Sequence, residues 1–104
     1  MFNVVDNKGF QIEFSNGYTV SCQFGTFNYC SKRSFNESDF FKERHVSVWE
    51  SPDCELAVLK GGDFITGEVL DKMELHIGGD DMVVGWVSAD DVAKIIAYVS
   101  MLAS

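Results

Sequence analysis

Two clusters in this 104-residue chain carry side chains with ligand-binding or reactive chemistry. The first is Asp80-Asp81 within Ile77-Gly78-Gly79-Asp80-Asp81-Met82. Neighbouring carboxylates on a tight turn can share a divalent cation, and bound Mg²⁺ takes up charge from a transferring phosphoryl group. The second is Phe27, Tyr29, Phe35, Phe40 and Phe41 interleaved with Lys32, Arg33, Lys42 and Arg44, which are half of the chain's 8 basic residues. Aromatic faces stack on bases and cations neutralise phosphate, so Tyr29, Lys32, Arg33, Phe40, Lys42, Arg44 and the nearby Trp49 are candidates for holding a nucleotide-like ligand. The competing reading makes residues 26–44 a lid, with the phenylalanines closing one end of a sheet and the charges in water.

Other reactive side chains give no catalytic spacing. Cys22, Cys30 and Cys54 form no Cys-x-x-Cys pair, and His45 and His76 make no zinc-like spacing with them. Three is an odd number for a disulfide framework, so buried reduced thiols are expected. A phosphate loop, Gly-x-Ser-x-Gly and His-Glu-x-x-His are all absent from the sequence. No enzyme activity, cofactor or resident metal is expected.

Charge divides the chain. Residues 1–49 balance Asp6, Glu13, Glu37, Asp39 and Glu43 against Lys8, Lys32, Arg33, Lys42 and Arg44, so the net charge of −8 belongs to the second half. Such a surface repels phosphate and argues against direct nucleic-acid binding. It suits a basic or nucleic-acid-binding partner protein, with Asp80 and Asp81 as candidate contacts. With no long apolar run, leader or lipidation signal, the expected location is the cytoplasm and no membrane partner is expected.

The elements that must position these residues follow from periodicity. Phe2, Val4 and Val5 suggest an edge strand before a polar turn at Asp6-Asn7-Lys8-Gly9. Strict alternation from Phe10 to Phe24 is interrupted by Asn16-Gly17, a strong hairpin signal. Paired residues share a face, so a three-residue loop Ser15-Asn16-Gly17 is required. It pairs Phe14 with Tyr18, Ile12 with Val20 and Phe10 with Cys22, and it needs Gly17 in the left-handed region. Residues 34–43 suit a short helix capped by Asn36 or Ser38.

A second hairpin is expected over 46–60 across the turn Ser51-Pro52-Asp53-Cys54, with apolar residues on both faces placing it centrally. Phe64–Thr66 and Glu68–Leu70 read as short β segments broken by a bulge at Gly67. A third hairpin over 73–87 would pair Ile77 with Met82, Leu75 with Val84 and Met73 with Trp86, leaving His76 on the other face. Ser88-Ala89-Asp90-Asp91 starts a helix over 89–102, with Val92, Ile95, Ile96, Val99 and Leu102 in one stripe that Tyr98 and Met101 widen. The expected fold is a single α+β domain: an antiparallel sheet of five to seven strands with one C-terminal helix packed on it.

Two resemblances bear on function. Gly78-Gly79-Asp80-Asp81 resembles the Gly-Asp-Asp hairpin of RNA-dependent polymerases and the Gly-Gly-Asp/Glu-Glu-Phe hairpin of diguanylate cyclases, which would imply metal-dependent phosphoryl transfer. Those sites need a further acid on a neighbouring strand, and none of Asp53, Asp63 and Asp71 stands in a matching motif. Gly-Gly-Asp-Asp is also good turn chemistry, which is the reading adopted. With its opening hairpin, Asn28-Tyr29-Cys30 and Gly85-Trp86-Val87-Ser88-Ala89-Asp90-Asp91-Val92, the chain resembles small acidic bacteriophage proteins. That resemblance implies an accessory or anti-defence role exerted by binding. The expected function is therefore a phage-encoded inhibitor that binds a host defence protein. The alternative is a sponge that sequesters a nucleotide-derived immune signal, which would work across a homo-oligomer interface.

Overall fold

The computed structural model describes residues 1–6 and 8–104, so Asn7 of the expected Asp6–Gly9 turn lies outside the described residues. In chain order the elements are β1 (Phe2–Val5), β2 (Gly9–Glu13), β3 (Tyr18–Gln23), α1 (Glu37–His45), β4 (Asp53–Lys60), β5 (Asp63–Phe64), α2 (Thr66–Met73), β6 (Val84–Ser88) and α3 (Ala89–Ser100). The strands form one 6-stranded antiparallel sheet. β1, β2, β3 and β4 lie side by side, and β5 and β6 share the far edge of β4. The fold is α+β with α3 packed on the sheet, as its sequence pattern requires.

The opening hairpin has the expected register, with Phe10 opposite Cys22 and Ile12 opposite Val20. The Gly17 N–H donates to Phe14 O at 3.0 Å, the Phe14 N–H donates to Tyr18 O at 2.8 Å, and Gly17 sits at φ +88°. Asn16 links this turn to the last helix. Its Oδ1 accepts from the Tyr18 N–H at 3.1 Å, while Nδ2 donates to Val99 O and Leu102 O, both at 2.9 Å. Carbonyls at a helix C-terminus have no partner within the helix, so this amide caps α3 from across the molecule. Asn16→Ala is expected to cost about 1–2 kcal/mol by removing both bonds, leaving Val99 O with the Leu102 N–H and Leu102 O without the amide. Asn16→Asp is expected to cost more, because it sets a carboxylate at the negative end of the helix dipole. Urea denaturation of the two variants checks the order.

The core lies between one face of the sheet and the helices. Val20, Cys22, Cys54, Leu56 and Val58 of β3 and β4, with Val84 and Val87 of β6, meet Val69 and Leu70 of α2 and Ile95 and Val99 of α3. On α3, Tyr98 packs against this core but Met101 is exposed and does not widen the stripe. The three cysteines are free and buried. The hydrogen bond with Cys22, together with burial, holds the Cys54 thiol well above the usual range, and burial raises Cys30. Both stay protonated and serve packing.

The structure corrects three expected local pairings. There is no hairpin over 46–60. The Asn36 side chain accepts from the Ser38 N–H at 2.8 Å and starts α1, which runs through His45 before an irregular stretch reaches β4. β4 is central, but its partners are β3, β5 and β6. Residues 68–70 are helical, because Ile65, Val69 and Met73 recur every fourth position and, with Leu70, turn α2 toward the core. The hairpin over 73–87 is absent too. Met73 ends α2, Glu74 follows at φ +58°, and the Leu75 N–H closes back on Leu70 O at 3.0 Å. The expected pairs Ile77–Met82, Leu75–Val84 and Met73–Trp86 therefore do not form. What remains of that hairpin is a Gly79–Val84 bridge around the Gly-Gly-Asp-Asp turn, and His76 lies outside any strand.

Candidate functional site

β6 carries an irregularity that shapes an open groove on the molecule's surface. Val87 opposes Cys54 and Val84 opposes Leu56, so Gly85 and Trp86 share the space opposite Glu55. The extra residue is a β-bulge, a feature that re-aims side chains. Trp86 takes up the distortion at φ +52°, which costs a non-glycine residue roughly 1–2 kcal/mol, and its side chain is 56% exposed.

The aromatic segment docks on this bulge. The Trp86 N–H donates to Tyr29 O at 2.9 Å, and the two rings lie 6.1 Å apart, tilted by 36°. Gly85 permits the approach: a Cβ there would stand 2.8 Å from Tyr29 Cβ and 3.0 Å from its carbonyl oxygen. Acids of β4 hold the loop. Asn28 Nδ2 donates to Glu55 at 2.8 Å, and the Ser31 N–H and hydroxyl donate to Asp53 at 2.6 and 2.5 Å. Part of the acidity of the second half thus serves to fasten the first.

Behind the loop stands the buried Glu43 of α1. Its Oε1 accepts from the Thr26 N–H at 2.6 Å, and its Oε2 lies 3.5 Å from Lys8 Nζ. Phe40, also on α1, stacks on Phe27 at 4.8 Å.

The third wall is the Gly-Gly-Asp-Asp turn. Asp80 Oδ1 accepts from the Met82 and Val83 N–H groups, both at 2.8 Å, and these bonds hold its carboxyl below the usual carboxylate range. Asp81 packs against the start of α2, accepting from the Gly67 N–H at 3.1 Å. Among the described residues, no three Asp, Glu, His or Cys side chains are grouped to hold a metal ion. The arrangement is a hydrogen-bonded turn of the kind its composition favours.

Tyr29, Trp86, His76, Ile77, Asp80 and Asp91 line a groove of about 740 Å³ together with Gly78, Gly79, Val83, Gly85, Val87 and Ser88. It joins Tyr29 of the aromatic set to Asp80 of the acidic turn, and no lysine or arginine lines it. Asp81 does not line it. The other ligand candidates are dispersed. The Arg33 guanidinium lies over Tyr29 at 4.6 Å and Phe35 at 5.3 Å, and Lys32 lies over Trp49 at 5.3 Å. Phe40 belongs to the Phe27 stack, while Lys42 and Arg44 are exposed on α1. The segment is no closed lid either: Phe27, Phe35 and Phe41 are 58%, 86% and 64% exposed.

Trp86, His76 and Asp91 escape a reading by sequence pattern. The available signal is the slip in alternation at Gly85, where apolar neighbours Val83-Val84 and Trp86-Val87 stand in succession. Such a slip marks a bulge.

Compared with protein-family models, curated proteins and solved structures, the chain matches none. Among the described residues no helix is long and apolar enough to cross a membrane.

Proposed function

We propose that the protein is a non-enzymatic binding protein whose groove takes an arginine or lysine side chain from a basic segment of a partner protein. In line with the resemblance to small acidic phage proteins, the partner is a host defence protein, and the protein acts as its inhibitor in the host cytoplasm. The observation that carries this reading is the shared groove of Tyr29, Trp86 and Asp80, which has aromatic faces, a carboxylate and no lysine or arginine in its lining; its second carboxylate, Asp91, is already paired with Lys94 at 3.7 Å. A cation over an aromatic face gains about 0.5–2 kcal/mol, more as it is desolvated. Asp80, held below its usual range, stays charged at neutral pH. Arg33 on Tyr29 displays the same guanidinium–aromatic contact within the chain. A net charge of −8 adds steering toward a basic surface.

A nucleotide is the weaker occupant, since its phosphates would meet Asp80 and Asp91 while Lys32 and Arg33 lie over the chain's own rings. Titrating a Gly-Arg-Gly-Arg-Gly peptide into ¹⁵N-labelled protein tests the reading. Shifts are expected at the Trp86 indole N–H and at the Gly78 and Gly79 amides, with affinity falling as salt rises. Shifts elsewhere, or binding indifferent to salt, would count against it.

A further inference from the structure

We propose that β1 is a self-association edge, through which two copies of the chain join their sheets into one. The first support is the free backbone. The Glu13 N–H donates to Met1 O at 2.8 Å, and with Phe2 opposite Ile12 this makes Phe2–Ile12 and Val4–Phe10 the non-hydrogen-bonded pairs of the β1–β2 ladder. The N–H and C=O groups of Phe2 and Val4 therefore point away from β2, at the rim of the sheet.

The second support is self-complementarity. An antiparallel copy centred on Asn3 sets Phe2 opposite the second copy's Val4, and Val4 opposite its Phe2. Every outward N–H and C=O of those residues then finds a partner. The side chains match as well. Phe2 and Val4 are 80% and 73% exposed and share a face with Ile12 and Phe10, their partners in register. α3 packs on β3, β4 and β6 and leaves this end of the sheet uncovered. Pairing the edges brings Phe2 and Val4 of both copies together, which extends the apolar face across the junction.

The third support is charge. Across β1, β2 and β3 the one charged residue is Glu13, so β1 lacks the lysine, proline or inward charge that blunts exposed edges. The acids of the second half, Glu50 apart, lie on β4 or later in the chain, and β2 and β3 stand between β4 and this edge. A second copy is therefore not repelled here, and both grooves, built at β6, stay open.

Sedimentation of the purified chain over a range of concentrations tests the proposal. A monomer–dimer equilibrium is expected, and Val4→Pro is expected to weaken it about tenfold or more, because the lost outward donor counts twice in a two-fold interface. Val4 is exposed and its N–H is not used by β2, so this variant keeps the wild-type circular dichroism. Asn3→Cys sits on the two-fold axis and is expected to form a disulfide-linked dimer under mild oxidation faster than Gln11→Cys on the next strand; the native cysteines are buried. A monomer at every concentration, or equal cross-linking of the two cysteine variants, would overturn the proposal and leave the edge to a strand from another protein.

Discussion

Gly85→Ala is expected to abolish peptide binding in the groove while leaving the sheet in place. A methyl group at this position would stand 2.8 Å from Tyr29 Cβ and 3.0 Å from Tyr29 O. Backbone must move, because neither atom belongs to the far end of a flexible side chain. The cheaper movement is of the loop, which leaves the Trp86 N–H without its acceptor and opens the Tyr29–Trp86 pair. Overpacking of this kind costs about 1–3 kcal/mol. Urea denaturation should show that loss with the transition still cooperative, and the Tyr29–Trp86 nuclear Overhauser contacts should vanish. A variant that binds like the wild type would show that the docking of Tyr29 on β6 is incidental to recognition.

The second large effect is expected at Glu43, which lies far from the groove in sequence and acts on it through the loop. Its side chain is 1% exposed, and the carboxylate accepts from the Thr26 N–H and faces Lys8. Hydrogen bonds to a charged group are worth about 1.5–3 kcal/mol, and Glu43→Ala also leaves a void beneath α1. A loss of about 2–3 kcal/mol is expected, at or below the roughly 3–5 kcal/mol for breaking a fully buried pair, because the Lys8 side chain is 22% exposed and can turn to water. Glu43→Gln keeps an acceptor for Thr26 and should lose about half as much. Hydrogen exchange locates the effect: amides of 26–45 should exchange faster in Glu43→Ala while those of α3 change little. Uniform loss of protection would assign Glu43 to global stability instead.

The parts of this fold legible in the sequence are those whose partners are close in the chain. The hairpin from Phe10 to Phe24 reads correctly because the face-matching of Ile12 with Val20 permits one loop length, and Gly17 supplies the required φ. α3 reads correctly because Ser88, Asp90 and Asp91 mark its start and the stripe through Ile95 and Val99 marks its face. The misread elements are those whose partners are remote. β4 alternates well enough to pair with residues 46–50, but Asn36 has already committed the preceding chain to α1, and β3 and β6 occupy its two edges. Val69 and Leu70 have strand-like character until Ile65 and Met73 are counted as a helical face.

The groove was half legible. Tyr29 and Asp80 stand in the two clusters that composition singles out. Nothing local says that they meet, because Asp53 and Glu55 of β4 and the bulge at Trp86 bring them together.

If Asp80 and Trp86 recognise a cationic side chain, calorimetric titration of the same arginine peptide into Asp80→Asn reads the loss of that contact. An asparagine retains a carbonyl oxygen for the Met82 and Val83 N–H groups, so the turn stays closed and only the charge is lost. The expected result is an affinity lowered about three- to tenfold at low salt, with a shallower salt dependence than the wild type, as for the loss of one close charge pair. Unchanged affinity and an unchanged salt slope in a correctly folded Asp80→Asn would show that Asp80 does not bind the cation.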